Sequence, residues 1–424
     1  MRVLVIGQGG REHAICWKLR QSPSVAELYA APGNAGIAEL ADCVPIGVAD
    51  IIELADFAEQ LKIDLTIVGP ELPLTLGIVD EFRKRGLLIF GPTRHAAELE
   101  GSKVFSKEFM RKYGIPTGAA QVCSGLDEAL SAVKKGSWPK VIKVDGLASG
   151  KGVFIVKSAQ EGKATIEELF QSRKFGMAGD RVLIEDFLEG EEVSFLVLTD
   201  GKKVAPLAPT KDYKQALDGD QGPNTGGMGA HSPAGVLSSE MAAEILKTVV
   251  LPTIQGMEAE GRTYSGVLYV GLMLTSEGPR VLEYNCRFGD PETQVQMLRL
   301  DNDLAEIFHQ VARGELTDTK LSWKKEAAAC VVVAVEGYPD DFPKGAEVTI
   351  DAIEDPSVVI FHAGTKIEGG KVVTTAGRVL NVCARDASLG EALRKAYSAC
   401  AKVHFEGARY RGDIGARVLE QRRG

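Results

Sequence analysis

The sequence contains few of the residues that commonly carry hydrolytic or zinc chemistry. Only six histidines occur in 424 residues, and none has a second histidine at the spacing of a metal site. The pattern Gly-x-Ser-x-Gly is absent, so a hydrolase nucleophile is not supported. The seven cysteines are scattered, odd in number, and without a Cys-x-x-Cys pair. We therefore expect buried free thiols, as in a reducing cytosol, and a cytoplasmic location.

Positive charge and long apolar runs are also scarce. Lys and Arg number 49 against 58 Asp and Glu, which gives a net charge of −9 without any long basic run. Nucleic-acid affinity depends on clustered cations, so we expect no nucleic-acid partner. The opening MRVLVIGQGG is apolar only briefly before a glycine loop, which predicts neither a signal peptide nor a membrane span. The remaining composition is that of a globular enzyme with roughly two to four domains.

Alternating strand and helix patterns dominate the first 92 residues and predict a parallel sheet with crossover helices. The later parts of the chain differ. Residues 205–233 are rich in Gly, Pro, Asp and Asn and are predicted to form a long functional loop. From about Ala327 the pattern becomes β-rich and ends in a helix over Leu389–Val403. The strands and helices predicted before that point are Arg2–Ile6, Arg11–Arg20, Leu28–Ala31, Leu65–Val68, Gly77–Lys84, Leu87–Phe90, Val141–Val144, Val153–Val156, Val182–Ile184, Ser239–Ala259, Val267–Leu274, Arg280–Tyr284, Glu292–Arg299 and Leu304–Arg313.

Two glycine-containing turns follow predicted strands of the first sheet. After the first strand comes Gly7-Gln8-Gly9-Gly10-Arg11-Glu12-His13, which is compatible with a structural turn, a phosphate or ribose site, or a dinucleotide site. A dinucleotide is disfavoured, because Glu12 stands where the third glycine is required and no acid follows the second strand. After Leu65–Val68 comes Gly69-Pro70-Glu71, where Glu71 could bind hydroxyls or an amine, or could merely cap a helix.

A lysine-bearing strand and an acidic turn form the next pair of candidates. Lys143 precedes a glycine-rich hairpin over Asp145–Gly152, and such a hairpin can cover nucleotide phosphates or be a plain surface turn. The acidic stretch that begins at Glu185 could accept hydrogen bonds from adenine and ribose, or could be a charged turn.

The most specific pattern is Leu282-Glu283-Tyr284-Asn285-Cys286-Arg287, followed by Phe288-Gly289-Asp290-Pro291-Glu292-Thr293-Gln294. In a strand, Glu283, Asn285 and Arg287 would share one face. Carboxylate and amide oxygens suit Mg²⁺, and an arginine beside them can hold a carboxylate or phosphate. Three polar residues on one buried face would be costly without a ligand.

The order of these features resembles the ATP-grasp enzymes over almost the whole chain. Three stretches, Gly7–Ala14, Asp218–Ala230 and Arg287–Gln294, are similar to the glycinamide ribonucleotide synthetases, also called phosphoribosylamine–glycine ligases. The resemblance implies a mixed α/β and α+β multidomain fold. Its expected parts are a Rossmann-like domain at 1–101, an ATP-grasp domain at 102–325 with a mobile subdomain at 118–195, and a β-rich domain at 326–424.

The resemblance also implies a reaction and a set of site residues. ATP, glycine and 5-phosphoribosylamine would give glycinamide ribonucleotide, ADP and phosphate through a glycyl phosphate, in de novo purine biosynthesis. The metal ligands of Mg²⁺ or Mn²⁺ would be Glu283 and Asn285, and the catalytic residues Arg287, Lys143 and Asp290. The ATP contacts would be Lys103, Lys143, Gly146, Ser149, Gly150, Lys151, Gly152, Glu185, Phe187, Leu188 and Glu192. The substrate contacts would be Gly9, Gly10, Arg11, Glu12, Gly69, Pro70, Glu71, Asp212, Asn224, Thr225, Gly226, Arg287 and Asp290.

One departure from the wider family concerns the metal site. Many ATP-grasp enzymes carry a further acidic ligand one strand earlier, whereas Val267–Leu274 has none, so more water or phosphate ligands are expected. The alternatives that stay open are a neighbouring purine-pathway ligase, a biotin carboxylase-like enzyme, and a nucleotide-binding regulatory module without catalysis. We expect no membrane partner and a monomer or weak homodimer.

Overall fold

The N-terminal part is a parallel sheet with helices on its faces. The computed structural model describes residues 1–147, 152–172, 179–317 and 319–421. Five strands lie in the order β3-β2-β1-β4-β5, and every pair is parallel. The elements are β1 Arg2–Gly7, α1 Gly10–Leu19, β2 Glu27–Pro32, β3 Asp42–Cys43, α2 Ile51–Gln60, β4 Leu65–Val68, α3 Glu71–Leu76, α4 Ile78–Lys84, β5 Ile89–Phe90 and α5 Arg94–Gly101, with a 3₁₀ turn at Ile37–Glu39. The predicted alternation is confirmed, although α2, α3 and β3 were not predicted. Because β1 and β4 are neighbours, the turns that follow them meet at one edge of the sheet.

A small antiparallel sheet with its own core follows. Its strands lie in the order β6-β9-β7-β8, and a separate apolar cluster fills the space under its helices. The elements are α6 Lys103–Lys112, β6 Ala120–Cys123, α7 Leu126–Val133, β7 Lys140–Val144, β8 Val153–Val156, α8 Ala159–Ser172 and β9 Val182–Asp186. Strands β7 and β8 pair as the predicted hairpin, whose residues 148–151 lie outside the described part of the chain.

A second antiparallel sheet, in the order β11-β10-β16-β17, carries the Glu283 strand at its edge. The elements are β10 Glu191–Thr199, β11 Val204–Pro206, β12 Lys211–Asp212, β13 Gln215–Leu217, β14 Gln221–Asn224, β15 Gly229–Ser232, α9 Ser239–Ile245, α10 Leu251–Ala259, β16 Gly266–Thr275, β17 Gly278–Asn285, α11 Glu292–Arg299 and α12 Leu304–Arg313. A π-helical turn at Leu246–Val250 joins α9 to α10, so the helix predicted over 239–259 is continuous. The prediction of an irregular loop over 205–233 is wrong in part, because the segment contains five short strands.

The C-terminal part is a sheet that borrows strands from the middle of the chain. Its order is β12-β15-β18-β23-β20, and β25 also pairs with β18. The elements are β18 Ala327–Val335, β19 Thr349–Ile350, β20 Val358–His362, β21 Thr365–Glu368, β22 Lys371–Thr374, β23 Arg378–Asp386, α13 Leu389–Cys400, β24 Val403–His404, β25 Ala408–Arg409 and α14 Ala416–Gln421.

Strand β18 is apolar throughout because both of its faces are buried. Alternate side chains point to opposite faces of a strand. Ala328, Cys330 and Val332 join the core shared with the N-terminal sheet, whereas the residues between them pack with α13. The C-terminal sheet is therefore packed directly against the rest of the molecule.

Two expectations about the environment of the chain can be compared with the structure. Six of the seven cysteines are buried free thiols, but Cys43 is exposed, so the expectation of buried thiols holds for six. Within the described ranges, no helix combines the length and the apolar character that crossing a membrane requires.

Candidate active site

Glu12 occupies the space between the turns that follow β1 and β4. Its side chain is buried, accepts a hydrogen bond from the Gly9 N–H at 2.6 Å, and pairs with Arg11 Nε at 2.5 Å. A Cβ atom at Gly69 would lie 2.1 Å from Glu12 Oε1, and one at Gly7 would lie 2.4 Å from Glu12 Cγ. The glycines thus make room for a carboxylate of the chain itself. This geometry explains why the turn lacks the third glycine of a dinucleotide site.

Asp290 lies at the N-terminus of α1, opposite Glu12. Its carboxylate accepts from the Arg11 N–H at 3.2 Å and lies 3.3 Å from Arg378 Nη1. Burial alone would raise the pKa of Asp290, but the guanidinium groups of Arg378 and Arg11 outweigh it and lower that pKa. Two carboxylates therefore hold the amide groups that a phosphate would use at Gly9 and Arg11.

Gly10 is a packing position. A Cβ atom there would lie 2.0 Å from Asn381 Nδ2, a side chain of β23. Gly10 therefore allows α1 to contact the C-terminal sheet closely. In the neighbouring turn, the predicted substrate residue Pro70 immediately precedes α3.

Arg287 lies just beyond the strand on which it was predicted. Strand β17 ends at Asn285, so the expectation of a shared strand face is wrong for Arg287. Its guanidinium nevertheless reaches back and donates to Asn285 Oδ1 at 3.4 Å. Its other partners are the Phe288 carbonyl, at 3.1 Å from Nη1, and two carboxylates, Glu71 at 3.2 Å from Nε and Glu100 at 3.1 Å from Nη2. The arginine is thus placed at the edge where the N-terminal sheet meets β17.

A lysine pair surrounds the carboxylate of Glu185. Lys143 Nζ lies 3.0 Å from Glu185 Oε2, and Lys107 Nζ lies 3.1 Å from Oε1. Burial would raise the pKa of Glu185, but the two ammonium groups outweigh it, so the pKa is lowered. Both carboxylate oxygens therefore face a lysine, and each keeps a second lone pair that could accept a further hydrogen bond. Phe187 and Leu188 follow on the half-buried turn after β9.

The base of the predicted phosphate hairpin is tied to α6. Lys103 donates to the Gly146 carbonyl at 2.8 Å, and the capping residue Ser102 donates to Asp145 at 2.9 Å. The Gly152 carbonyl accepts from the Val144 N–H. Three further predicted ATP contacts lie outside the described residues, namely Ser149, Gly150 and Lys151.

Glu283 and Asn285 lie two residues apart on β17, and Glu283 faces Lys214. Lys214 Nζ lies 3.4 Å from Glu283 and 3.6 Å from Glu192. Burial would raise the pKa of Glu283, but Lys214, Lys143 and Lys103 together lower it to about 2. An ionised carboxylate and an amide oxygen are a donor set that fits Mg²⁺ or Mn²⁺. Elsewhere in the described chain, no three His, Cys, Asp or Glu side chains gather to hold a metal.

Strand β16, where many ATP-grasp enzymes carry a further acidic metal ligand, has a glycine opposite Glu283. Across the ladder, Glu283 pairs with Gly271 and Asn285 pairs with Tyr269. Gly271 offers no side chain beside Glu283, and a Cβ there would lie 3.1 Å from Glu283 Cγ. The neighbouring strand therefore supplies no acidic side chain at the position opposite Glu283.

The segment that carries Asp212 and Asn224 is held by the C-terminal part. The Gly226 N–H donates to Tyr338 Oη at 3.0 Å, and Arg378 donates to the Gly226 carbonyl at 2.8 Å. Thr225 Oγ1 donates to the carbonyl of Lys214 at 2.8 Å, which fixes the backbone of that lysine. Asn224, another predicted substrate residue, accepts a hydrogen bond from the Gln215 side chain within the β13–β14 hairpin.

Asp212 belongs to a buried polar cluster rather than to an open loop. Ser194 Oγ lies 3.3 Å from Asp212 Oδ1 and 3.2 Å from Glu292 Oε1, and it also bonds Tyr269 Oη. Burial is the main reason that the pKa of Asp212 rises to about 6, and the nearby carboxylates of Glu292 and Glu283 add to it against the opposing effect of Lys214.

Comparison with known proteins identifies the family of the chain. Three family descriptions match consecutive parts of the chain: phosphoribosylglycinamide synthetase N domain at residues 1–100, ATP-grasp (A) domain at 101–293, and C domain at 328–417. The chain belongs to the phosphoribosylglycinamide synthetase family. The predicted Rossmann-like, ATP-grasp and β-rich parts are the architecture of this family. The exact domain boundaries predicted above stay predictions.

Relatives of this chain extend over its full length. The phosphoribosylamine–glycine ligase of Vibrio cholerae is 47% identical over 423 residues, which cover 99% of both chains. The crystal structure of the Thermotoga maritima phosphoribosylamine–glycine ligase is 37% identical, with a TM-score of 0.85 and coverage of 97% of this chain and 100% of that one. A biotin carboxylase from Campylobacter jejuni shares the fold at 14% identity, with a TM-score of 0.76 and coverage of 96% and 92%.

Sequence reasoning missed four charged residues that the structure brings to the site. They are Glu100, Lys107, Lys214 and Arg378. Lys107 lies one turn after Lys103 on α6, so helical spacing could have found it. The other three reach the site from distant segments, and we find no local signal for them.

Proposed function

We propose that this chain joins glycine to 5-phosphoribosylamine at the expense of ATP, giving glycinamide ribonucleotide, ADP and phosphate in de novo purine biosynthesis. The full-length likeness to proteins named phosphoribosylamine–glycine ligase supports the assignment. The structural observation that carries it is the ionised Glu283, which stands beside Asn285 in the field of three lysines. That arrangement suits a metal-bound polyphosphate, whose charge needs both cations and a metal ligand.

The ATP phosphates would lie against Lys103 and Lys143, under the 145–152 hairpin. Glu185 would then act mainly by holding Lys143 in place, because its carboxylate already faces that ammonium group. Phe187 and Leu188 would line the adenine, and Glu192 would accept from the ribose. Gly146, Ser149, Gly150, Lys151 and Gly152 complete the proposed ATP contacts.

Glu283 and Asn285 would hold Mg²⁺ or Mn²⁺. A bound divalent cation neutralises phosphate charge and so favours phosphoryl transfer. Bound phosphates would compete with Glu283 for the ammonium group of Lys214, which can then turn toward them. We propose Lys214 as a further cation of this site.

Glycine activation would take place beside Arg287. A carboxylate oxygen of glycine attacks the γ-phosphorus, the new O–P bond forms, and the bond to the leaving ADP breaks. The product is glycyl phosphate, whose carbonyl carbon is a better electrophile than a carboxylate. The planar guanidinium fits the carboxylate before the transfer and the negative charge after it. Exclusion of water is required, since the acyl phosphate hydrolyses.

The amine of phosphoribosylamine would then attack the carbonyl carbon, with release of phosphate and loss of the amine proton. We propose that this substrate lies between the turns after β1 and β4 and the Arg287–Asp290 segment. The carboxylates of Glu12, Glu71 and Asp290 line this space, so they suit hydroxyl and amine groups better than a phosphate. The other proposed substrate contacts are Gly9, Gly10, Arg11, Gly69, Pro70, Asp212, Asn224, Thr225 and Gly226.

A substrate-omission assay tests the proposal. ADP release is measured with ATP and Mg²⁺ while glycine and phosphoribosylamine are omitted in turn, and glycine is replaced by formate or bicarbonate. We expect ADP release that requires both substrates and is not supported by the replacements. Bicarbonate-dependent ADP release would favour a carboxylase instead, and ATP binding without ADP release would favour a regulatory module.

Two finer expectations also remain proposals. We propose a cytoplasmic location, supported by the six buried free thiols, and a monomer or weak homodimer. Sedimentation over a range of protein concentrations tests the oligomeric state, and a tight dimer at the lowest concentration would contradict it.

A further inference from the structure

Glu100 is a buried carboxylate that belongs to none of the recognised motifs. It lies near the end of α5 in the N-terminal part and is 8% exposed. Its Oε2 accepts from the Cys286 N–H at 2.7 Å and lies 3.0 Å from Cys286 Sγ. Its Oε1 lies 3.1 Å from Arg287 Nη2. A single side chain thus fixes both the backbone at the end of β17 and the guanidinium that follows it.

Glu71 holds the same guanidinium in a different way. It contacts Nε at 3.2 Å, and its side chain is 26% exposed, whereas that of Glu100 is 8% exposed. Glu71 is the first residue of α3, at the open edge of the sheet. Water can reach Glu71 and solvate it if Arg287 turns away.

The difference in burial decides which carboxylate can release Arg287. A buried charge that loses its partner is strongly destabilising, because water cannot replace the lost contact. Glu100 would be left in that condition, but Glu71 would not. When an anion competes for Arg287, the contact with Glu71 is therefore the one that breaks.

We propose that Glu100 is a positioning residue for Arg287, which keeps the guanidinium in place while its Nε edge exchanges Glu71 for the carboxylate of glycine. This inference rests on the proposed function and assigns a task to a residue outside the predicted site. The guanidinium presents parallel N–H groups that match a carboxylate, so an incoming carboxylate can take the place of Glu71 without a change in the arginine's position. Glu100 itself touches no substrate.

The experiment compares Glu100→Gln with the unmodified protein by steady-state ADP release, with glycine and ATP varied separately. Glutamine keeps the shape of the side chain but replaces one acceptor oxygen with an NH₂ group. This donor would face either the Cys286 N–H or Arg287 Nη2, which are donors themselves. We expect the KM for glycine to rise about tenfold or more, while the KM for ATP stays within about twofold. The matched control is Glu98→Gln, two residues earlier on α5, where the side chain is 45% exposed and pairs with Arg262. Both KM values of that variant should be unchanged.

The outcomes separate this inference from the proposed function. If the unmodified protein shows no glycine-dependent ADP release, the proposed function is wrong and the role of Glu100 is wrong with it. If the unmodified protein is active and Glu100→Gln has a glycine KM within twofold of it, only the role of Glu100 is overturned. A parallel rise of both KM values also overturns it, because that result indicates general damage. Should Glu100→Gln fail to fold, Glu100→Asp is measured in the same way. Its shorter reach is expected to raise the glycine KM alone, and an unchanged glycine KM would overturn the role.

Discussion

A buried and a half-buried histidine at the contact between α1 and β20 should make the protein sensitive to mild acid. The backbone N–H of His362 donates to His13 Nδ1 at 2.8 Å, and His13 is only 6% exposed. Burial, with a smaller repulsion from His362, lowers the pKa of His13 from 6.5 to about 3. Burial likewise lowers the pKa of His362 to about 4. Both imidazoles are therefore neutral in the folded protein at neutral pH, and no water can readily solvate a charge on His13.

The sign and size of the effect follow from proton binding. The unfolded chain takes up a proton near pH 6.5, whereas the folded protein does so only near pH 3 to 4. The unfolded state therefore binds more protons in between, and stability that is fully present above pH 6.5 is lost as the pH falls. At pH 5.5 each histidine contributes a loss of about 1.4 kcal/mol, so the pair contributes about 3 kcal/mol between pH 7.5 and 5.5.

The assay is urea denaturation of the unmodified protein and of the double variant His13→Gln, His362→Gln at both pH values. The variant should lose about 3 kcal/mol less in the free energy of unfolding than the unmodified protein over this interval, since it lacks both titrating groups. Carboxylate titrations are common to the two proteins and cancel in the comparison. An independent check is NMR of ¹⁵N-labelled histidine, in which both rings should stay neutral at pH 5.5. An identical pH dependence in the two proteins would refute the reasoning.

Three further predictions concern the site. Glu283→Gln should lower kcat on the order of 100-fold or more without loss of the fold, because it removes the charge of a metal ligand; activity near normal at saturating Mg²⁺ would sink the metal assignment. Arg287→Lys should keep ATP binding but yield far less glycine hydroxamate from ATP, glycine and hydroxylamine, since lysine lacks the planar fork; an equal yield would contradict its role. Gly69→Ala should cost about 1–3 kcal/mol of stability because its Cβ would lie 2.1 Å from Glu12 Oε1. Gly125→Ala, at the N-cap of α7, meets nothing within 4 Å and should cost less than Gly69→Ala, so equal shifts in thermal unfolding would argue against the packing role of Gly69.

Elements with strong local signals could be predicted to the residue. Helix α12 is an example, since the predicted and observed bounds are both Leu304–Arg313. The Asp303 side chain caps its first turn by accepting from the N–H groups of Ala305 and Glu306, and Gly314 ends it in the left-handed conformation at φ 72°. Strand β4 is another, because three buried apolar residues and the buried Thr66 precede a glycine turn. In both cases the information lies within a few residues of the element.

Features that depend on distant partners could not be predicted. Strand β15 has no apolar alternation of its own and forms because β18, about one hundred residues later, pairs with it. The same holds for the site. Sequence reasoning placed Arg287 and Glu71 there, but their mutual ion pair depends on how two sheets meet. Glu100 and Lys214 belong to this class, since each becomes recognisable only when its partner in space is known.

The strands that complete the C-terminal sheet have a consequence for expressing this part alone. Strand β15 covers one edge of β18 along Gly229–Ser232, and β12 extends the sheet beyond it. A fragment that begins after residue 326 would therefore expose the backbone donors and acceptors of a wholly apolar strand. Such an edge is a template for pairing with another chain, so the fragment is expected to aggregate. If the same fragment is joined to residues 210–233 by a linker, β12 and β15 close that edge. We expect this linked fragment to remain in solution.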